Sequence, residues 1–400
     1  MVTNKDVDNN FLKDPNKILI MDLIRVHKAI SLNGLSQKSG ISLGAVGEVV
    51  SFLIEKEFIQ ERKIDDFTEE VVTPLLELKP KSYYTIGVDL DWKTISVLIL
   101  DMTGDVVCER LMSMPMPSIF QFVVAKVEKA ITELMSKYSI TNDRLIGIGI
   151  SIPGVVDSRT QEVVLAPNLG WRDINISADF IRLFNTPVFV ENDSMSLAFC
   201  ENWMGACQNV DNFVCINIRT GIGSGIFTNG NPYRGGSGSA GEVGHIVVDE
   251  TGPRCGCGNH GCLGVMAAIG CVVEKVKKVL SQGASSSLNE FTDTSSIGIN
   301  HIITAAKNGD EVAKSILIES ARYIGIAISH IVNTLNPEKI VIGKEFVKYA
   351  DVVMENIKNV VYVKALKFSS SNLELVASKL GENATTVGAA IIPLRAFFGK

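Results

Sequence analysis

Apolar and polar positions divide the chain into a short front and a long remainder. Over residues 16–30 (NKILIMDLIRVHKAI), Ile18, Ile20, Met21, Ile24 and Ile30 recur at helical spacing with Leu19 and Leu23 beside them, which predicts a helix with a wide buried stripe. In the following LSQKSGISLGAVGEVVSFLIEKEFIQER, Ser36 is placed to cap a short helix, Gly40 to break it and Ser42 to cap a second. Val46, Val49, Val50 and Leu53 share one face of that second helix. Glu57 and Phe58 then lead into FIQERKI, a short strand ending in charges. Helix, short helix, glycine turn, second helix and hairpin describe a winged helix-turn-helix.

Such an architecture lays residues 42–54 in a DNA major groove, with the helix start against a phosphate. Ser42, Leu43, Gly44, Ala45 and Gly47 form its front, small or uncharged, permitting close approach but supplying few hydrogen bonds. Ser36 and Gln37 of the short helix join this candidate DNA face, and Lys38, Arg62 and Lys63 are the candidate phosphate contacts. From Lys13 to Lys63 there are 8 Lys/Arg against 6 Asp/Glu, only weakly basic, and the same elements serve elsewhere as packing or protein–protein modules. Residues 64–82, acidic and then punctuated by Pro74 and Pro80, read as a linker or wing extension.

Beyond it the pattern repeats. Residues 83–107 (YYTIGVDLDWKTISVLILDMTGDVV) predict two strands joined by a tight turn, and residues 212–233 (NFVCINIRTGIGSGIFTNGNPY) repeat strand, glycine-rich turn and strand. Each half adds amphipathic helices and a later apolar strand, IGIGISIP or EKIVIG. Duplication of this kind predicts two similar α/β lobes around a cleft. Glycine turns between strands can cradle phosphates on backbone N–H groups. The run Thr220–Gly225 lacks the GxGxxG spacing of a dinucleotide fingerprint, and a strand rather than a helix follows it.

The chain has 400 residues, 46% hydrophobic and 20% charged, enough for two or three domains with sizeable cores. A net charge of −6 leaves any DNA affinity to a local patch. The polar start, MVTNKDVDNN, does not resemble a signal peptide, and no uncharged apolar run of membrane-spanning length occurs, so the expectation is a cytoplasmic protein with no membrane partner. Of 8 cysteines, Cys108, Cys200, Cys207, Cys215 and Cys271 lie among apolar residues and read as reduced core positions. Cys255, Cys257 and Cys262 sit together in RGGSGSAGEVGHIVVDETGPRCGCGNHGCLG, downstream of His245. Three thiolates and an imidazole suit tetrahedral Zn2+, structural because four protein ligands leave no position for water. His260, inside the cysteine loop, competes with His245 as fourth ligand.

This stretch resembles the signature of the ROK family of sugar kinases and sugar-responsive repressors, and further matching pieces run in order through residues 83–398: IGVDL, ISIPGVVD, PNLGW, VFVENDSMSLAFCE, TGIGSGI, RGG…AGEVGH, CGCGNHGCL and VNTLNPEKIVIG. Family repressors carry a winged helix-turn-helix in front, which family kinases generally lack. The resemblance implies an α/β chain in which the winged helix-turn-helix is followed by a two-lobed actin-like (ribonuclease-H-like, sugar-kinase-type) ATPase fold. Sugar hydroxyls would be held by Asn192, Asp193, Glu242 and His245, with the Gly154 turn nearby.

Asp193 stands where family kinases place the general base, but other positions depart from them. Their first phosphate turn reads D-x-G-G-T; here it is Asp89-Leu90-Asp91-Trp92-Lys93-Thr94, with a carboxylate and an indole for the glycines. Arg219 precedes the second turn where a small residue is common, a paired glycine becomes Gly343-Lys344, and the sugar-contacting Glu after Gly-Cys-Leu becomes Gly264. Because phosphoryl transfer depends on positioning and charge around ATP, the expectation is a sensor without kinase activity. Residues 1–80 then form the DNA-binding domain and linker, 81–195 with 381–400 a smaller lobe, and 196–380 a larger lobe with the zinc site. The expected partners are double-stranded operator DNA with an approximate inverted repeat, a sugar or sugar-derivative effector, and a second copy in a homodimer or homotetramer. The alternative is an ATP-dependent sugar kinase with an added DNA-binding domain.

Overall fold

Asp14 accepts the Asn16 amide and Pro15 opens helix α1 (Pro15–His27), whose Ile20, Met21 and Ile24 are buried. The helix stops three residues short of the expected Ile30. Lys28 adopts φ +60°, and the chain turns into strand β1 (Ile30–Ser31), where Ile30 pairs with Leu76. Ser31, not Ser36, caps helix α2 (Leu32–Ser39) by accepting the Gly34 amide. Ser36 lies inside that helix and its hydroxyl donates to the Ile41 carbonyl, fastening the turn. The Ser31 cap draws Asn33 and Gly34 into the helix. Gly40 ends α2 in the left-handed conformation, and Ser42 caps helix α3 (Leu43–Glu55) as expected. Strands β2 (Ile59–Arg62) and β3 (Leu75–Leu78) pair antiparallel, and β1 adds to β3.

The computed structural model describes residues 14–62 and 74–399. Lys63 lies outside the described residues. The chain forms two compact units, one running to Asn192 and resuming at Thr385, the other Asp193–Ala384.

In the first unit, β4 (Tyr84–Leu90), β5 (Thr94–Asp101) and β6 (Val106–Ser113) run antiparallel. After helix α4 (Phe120–Lys137), strand β7 (Leu145–Ile152) joins parallel to β4. The short strands β8 (Val155–Val156), β9 (Val163–Ala166) and β10 (Trp171–Ile174) make a small sheet of their own. Helix α5 (Ile176–Phe184) then leads to β11 (Val188–Asn192), parallel to β7. The order is β6-β5-β4-β7-β11.

The second unit starts with α6 (Asp193–Met204), followed by β12 (Phe213–Ile218), β13 (Ile222–Thr228) and β14 (Asn231–Pro232). Helices α7 (Leu263–Ala267), α8 (Ile269–Ser281), α9 (Ile299–Lys307) and α10 (Glu311–Leu335) precede β15 (Lys339–Lys344), and α11 (Ala350–Lys364) and α12 (Lys367–Ser370) precede β16 (Glu374–Ala377). Its sheet order, β14-β13-β12-β15-β16, repeats that of the first unit, with the same antiparallel trio and the same two parallel additions. Long and apolar, α10 has the length and composition of a membrane span, but most of it is buried in the core of this unit.

Helix α13 (Ala384–Phe397) returns the chain to the first sheet. It lies so close that a Cβ on Gly149 would overlap the Ala389 carbonyl, and one on Gly87 the Thr386 carbonyl. Its end meets the front of the chain. Phe58 stacks on Tyr83 at 4.4 Å and lies 5.4 Å from Phe397, and the Arg25 guanidinium sits over Phe398. Glu57 joins Arg144 and Lys79, which hold its carboxyl below the usual glutamate range.

Gly149→Ala forces a methyl into backbone and lowers stability by about 2–4 kcal/mol. Gly47→Ala, on α3 with open space around its Cβ position, raises stability by up to about 1 kcal/mol. Urea denaturation of the two variants checks the contrast, and equal effects would show that the close seating of α13 is not limiting.

Candidate functional site

Asp193 opens α6 and is 9% exposed. Its Oδ2 accepts a hydrogen bond from Asn217 Nδ2 at 3.0 Å and lies 3.5 Å from Arg219 Nη1, while Ser194 Oγ donates to Oδ1 at 3.2 Å. Asn217 reaches it because it lies on the central strand β12, opposite Gly223 on one side and Gly343 on the other. A Cβ at Gly223 would overlap Ser194 Oγ, so the glycine is what lets α6 settle onto the sheet. In the first unit, Asn192 ends β11 and donates through Nδ2 to the Gly154 carbonyl at 2.6 Å.

Glu242 and His245 come from a segment pinned along β13. The Gly241 carbonyl accepts both the Ser224 amide, at 2.8 Å, and its hydroxyl, at 3.0 Å. One 3-10 turn, Val243–His245, then presents both side chains to solvent. Packing around Glu242 nevertheless withholds enough water to push its carboxyl pKa up, opposed by His245 and reinforced by the Asp193 charge. Position 264 is open: a Cβ there would come 3.3 Å from the Gly244 carbonyl and near nothing else.

The ligand atoms of His245, Cys255, Cys257 and Cys262 lie within 4.8 Å of one another and can hold a metal ion. Backbone bonds shape the loop: Cys255 N to Asn259 O at 2.8 Å, Gly258 N to Cys255 O at 3.0 Å, and Val248 N to Gly261 O at 2.9 Å. Cys255 Sγ is 3.6 Å from His245 Nδ1, and Cys257 Sγ is 3.7 Å from Cys262 Sγ, far beyond the roughly 2.0 Å of a disulfide. His260 points elsewhere, its Nδ1 3.3 Å from the Gly252 carbonyl, which decides between the two histidines in favour of His245. The Asn259 amide, with Cys255, Cys262 and His245, draws the Cys257 thiol down to about 7, whereas burial pushes that of Cys262 up. Thiols crowded this way lose their protons together only with a cation among them.

The two glycine-turn positions carry charges of their own. Between β4 and β5, the Trp92 amide donates to Asp91 Oδ1 at 2.7 Å. The Lys93 amine lies 4.2 Å from the Trp92 ring centre. Asp89 is buried and accepts from Ser151 and Thr385, each at 2.7 Å, which binds it into the fold. Between β12 and β13, Arg219 N donates to Gly221 O, and a strand follows as expected. Lys344 retains φ +62°, a conformation that favours glycine, although the residue is lysine. Sequence reasoning singled out Asp193 and Arg219 separately and missed Asn217. A signal existed: both Asn217 and Arg219 interrupt the otherwise apolar VCINIR.

On the front, Gln37, Lys38, Ser42, Leu43, Gly44 and Arg62 are exposed and Ala45 and Gly47 partly so, whereas Ser36 is committed to Ile41.

The ROK family model matches residues 85–396. The xylose repressor of Caldicellulosiruptor bescii is 27% identical over 381 residues, 95% of this chain and 96% of that protein. The DNA-binding transcriptional dual regulator NagC of Escherichia coli is 28% identical over 97% of this chain and 94% of its own. Among solved structures, a ROK family transcriptional regulator, a homologue of the E. coli MLC protein, superposes with TM-score 0.84 at 28% identity over 96% of both chains. A ROK family glucokinase from Streptomyces griseus, solved with glucose and AMPPNP, gives TM-score 0.68 at 27% identity over 77% of this chain and 98% of its own.

Iodoacetamide on metal-free folded protein modifies Cys257 first, because its thiol is exposed and drawn down toward neutrality. Cys200 and Cys215, buried and raised, stay unmodified until the chain unfolds. Peptide mass mapping checks this order, and early labelling of Cys200 would contradict the packing of α6.

Proposed function

The chain belongs to the ROK family, and from that premise we propose a sugar-responsive DNA-binding repressor of carbohydrate genes whose kinase-like units sense an effector without phosphorylating it. One observation carries the reading: regulators match the chain nearly end to end, whereas the glucokinase covers 77% of it, a shortfall about the size of the front eighty residues. Among the described residues that front has three helices and a three-stranded sheet, an order that supports a winged helix-turn-helix. The α3 front, Ser42 to Gly47, together with Gln37 reads bases, and Lys38, Arg62 and Lys63 contact phosphates. Ser36 acts through the turn it fastens. The protein works in the cytoplasm as a homodimer or homotetramer on an approximate inverted repeat.

Effector hydroxyls are taken by Asn192, Asp193, Glu242 and His245, with the Gly154 turn nearby. Carboxylates and an amide accept and bridge adjacent hydroxyls, so ligands lacking them are rejected. The metal is Zn2+, held by His245, Cys255, Cys257 and Cys262. Tetrahedral zinc with bonds of about 2.3 Å to sulfur and 2.0 Å to nitrogen needs ligand edges of about 3.8 and 3.5 Å. The separations of 3.7 and 3.6 Å fit. Of the His245 ring nitrogens, Nδ1 faces Cys255 and would hold the metal, which would leave Nε2 to carry the proton and donate to a hydroxyl.

Phosphate transfer is silenced by the chain's own charges. Asp91 occupies the Trp92 amide and repels a polyphosphate, and Asp89 is committed to Ser151 and Thr385. The kinase alternative draws on the retained Asp193 and the likeness to the glucokinase. It requires ATP to enter a turn already carrying an anion.

Calorimetric titration with a panel of sugars, with ATP-Mg in the same series, tests the reading. A sugar binds, ATP-Mg does not, and that sugar shifts affinity for an operator selected from random DNA by fivefold or more. Phosphorylated product would establish the kinase instead. Metal analysis finds one zinc per chain, lost in Cys255→Ser and kept in Cys271→Ser; a metal-free native protein would dismiss the zinc assignment.

A further inference from the structure

We propose that Arg219 is a built-in counter-ion for Asp193, and that with Asn217 it fixes this carboxylate as a permanent hydrogen-bond acceptor rather than a proton acceptor. Both groups address the same oxygen, Oδ2, Asn217 Nδ2 at 3.0 Å and Arg219 Nη1 at 3.5 Å. The side chains of the ion pair are only 15% and 12% exposed, so salt and water screen their attraction little. Glu242 also faces Asp193, and its like charge would raise the proton affinity of Asp193 if nothing offset it.

Asn217 supplies an independent observation. An ionised carboxylate only accepts, so the amide must turn its nitrogen to Asp193 and its oxygen away. Asn217 is 2% exposed, and its Oδ1 is buried without a hydrogen-bond partner. Packing alone does not account for a polar side chain held on an apolar strand with one atom unsatisfied. Orienting Asp193 does.

A carboxylate paired in this way accepts a strong hydrogen bond from a ligand hydroxyl, but lacks the basicity to remove its proton. Arg219 is therefore a positioning residue that makes Asp193 a recognition group. The inference rests on the sensor reading above, yet its test needs neither sugar nor nucleotide.

The test is a 13C NMR titration of the full chain with labelled aspartate between about pH 3 and pH 8, with Asp193→Asn assigning the signal. Asp193 stays ionised below the ordinary aspartate range in the unmodified chain. Arg219→Ser raises its pKa by one unit or more, a tenfold gain in proton affinity, and Arg219→Lys restores most of the difference. Asn217→Ala gives a smaller rise. Arg219→Gln, closer in length, carries the test if Arg219→Ser does not fold. The same titration in the unmodified chain and in Arg219→Ser would overturn the inference while leaving the sensor reading intact. Sugar phosphorylation by the unmodified chain would overturn the sensor reading whatever the titration shows.

Discussion

The seating of one helix on each sheet, closer than side chains would normally permit, is the constraint on which the rest depends. In the second unit α6 settles on β13 and β15 through Gly223, Gly225 and Gly343, where added Cβ atoms would strike Ser194, Ala198 and Leu197. In the first, α13 does the same over Gly87 and Gly149. Each helix begins where the chain passes from one unit to the other, at Asn192–Asp193 and at Ala384–Thr385. Close seating carries the first residues of each helix to the sheet's polar end. There Asp193 meets Asn217 and Arg219, and Thr385 meets Asp89. Looser packing would leave these groups in water, where such hydrogen bonds and ion pairs contribute little.

The same geometry keeps a fold shared with a ROK family glucokinase while the charges on its turns differ. The backbone is retained: Lys344 still adopts a conformation that favours glycine, at a cost of about 1–3 kcal/mol. What differs is charge. Asp91 places an anion on the first turn and Arg219 a cation beside Asp193. On the first turn, the Trp92 amide already points at the Asp91 carboxylate beside it.

Much of this was legible in the sequence because periodicity reports packing directly. The duplicated strand-turn-strand units, the glycine turns and the Cys3His set follow from local pattern, and the units and the cluster appear where the pattern puts them. Two details were not legible, each for a long-range reason, and a third, the choice of His245 over His260, was read correctly but rests on pairing the sequence does not display. The start of α2 depends on Ser31 and on pairing of Ile30 with Leu76, forty-odd residues away. The choice of His245 over His260 depends on the antiparallel bridges Val247 to Cys262 and Arg254 to His260, which turn one imidazole toward the thiols and the other away. The commitment of Asp89 depends on Thr385, almost three hundred residues on.

The front of the chain is more than a tethered reader. Phe58 is buried between Tyr83 and Phe397, Tyr83 donates its hydroxyl to the Lys56 carbonyl, and Glu57 is held by Lys79 and Arg144. The two ion pairs are solvent-accessible and contribute little by themselves, but the aromatic stack buries area that a flexible link would leave exposed. Phe397 ends α13, the helix whose first turn Asp89 grips. Helix α13, which carries Pro393 within it, therefore runs from the Asp89 contact at Thr385 to the aromatic stack beside α3 and its hairpin. The placement of α3 and its hairpin thus depends on the packing of the first unit, because Phe58 beside them is held between Tyr83 and Phe397.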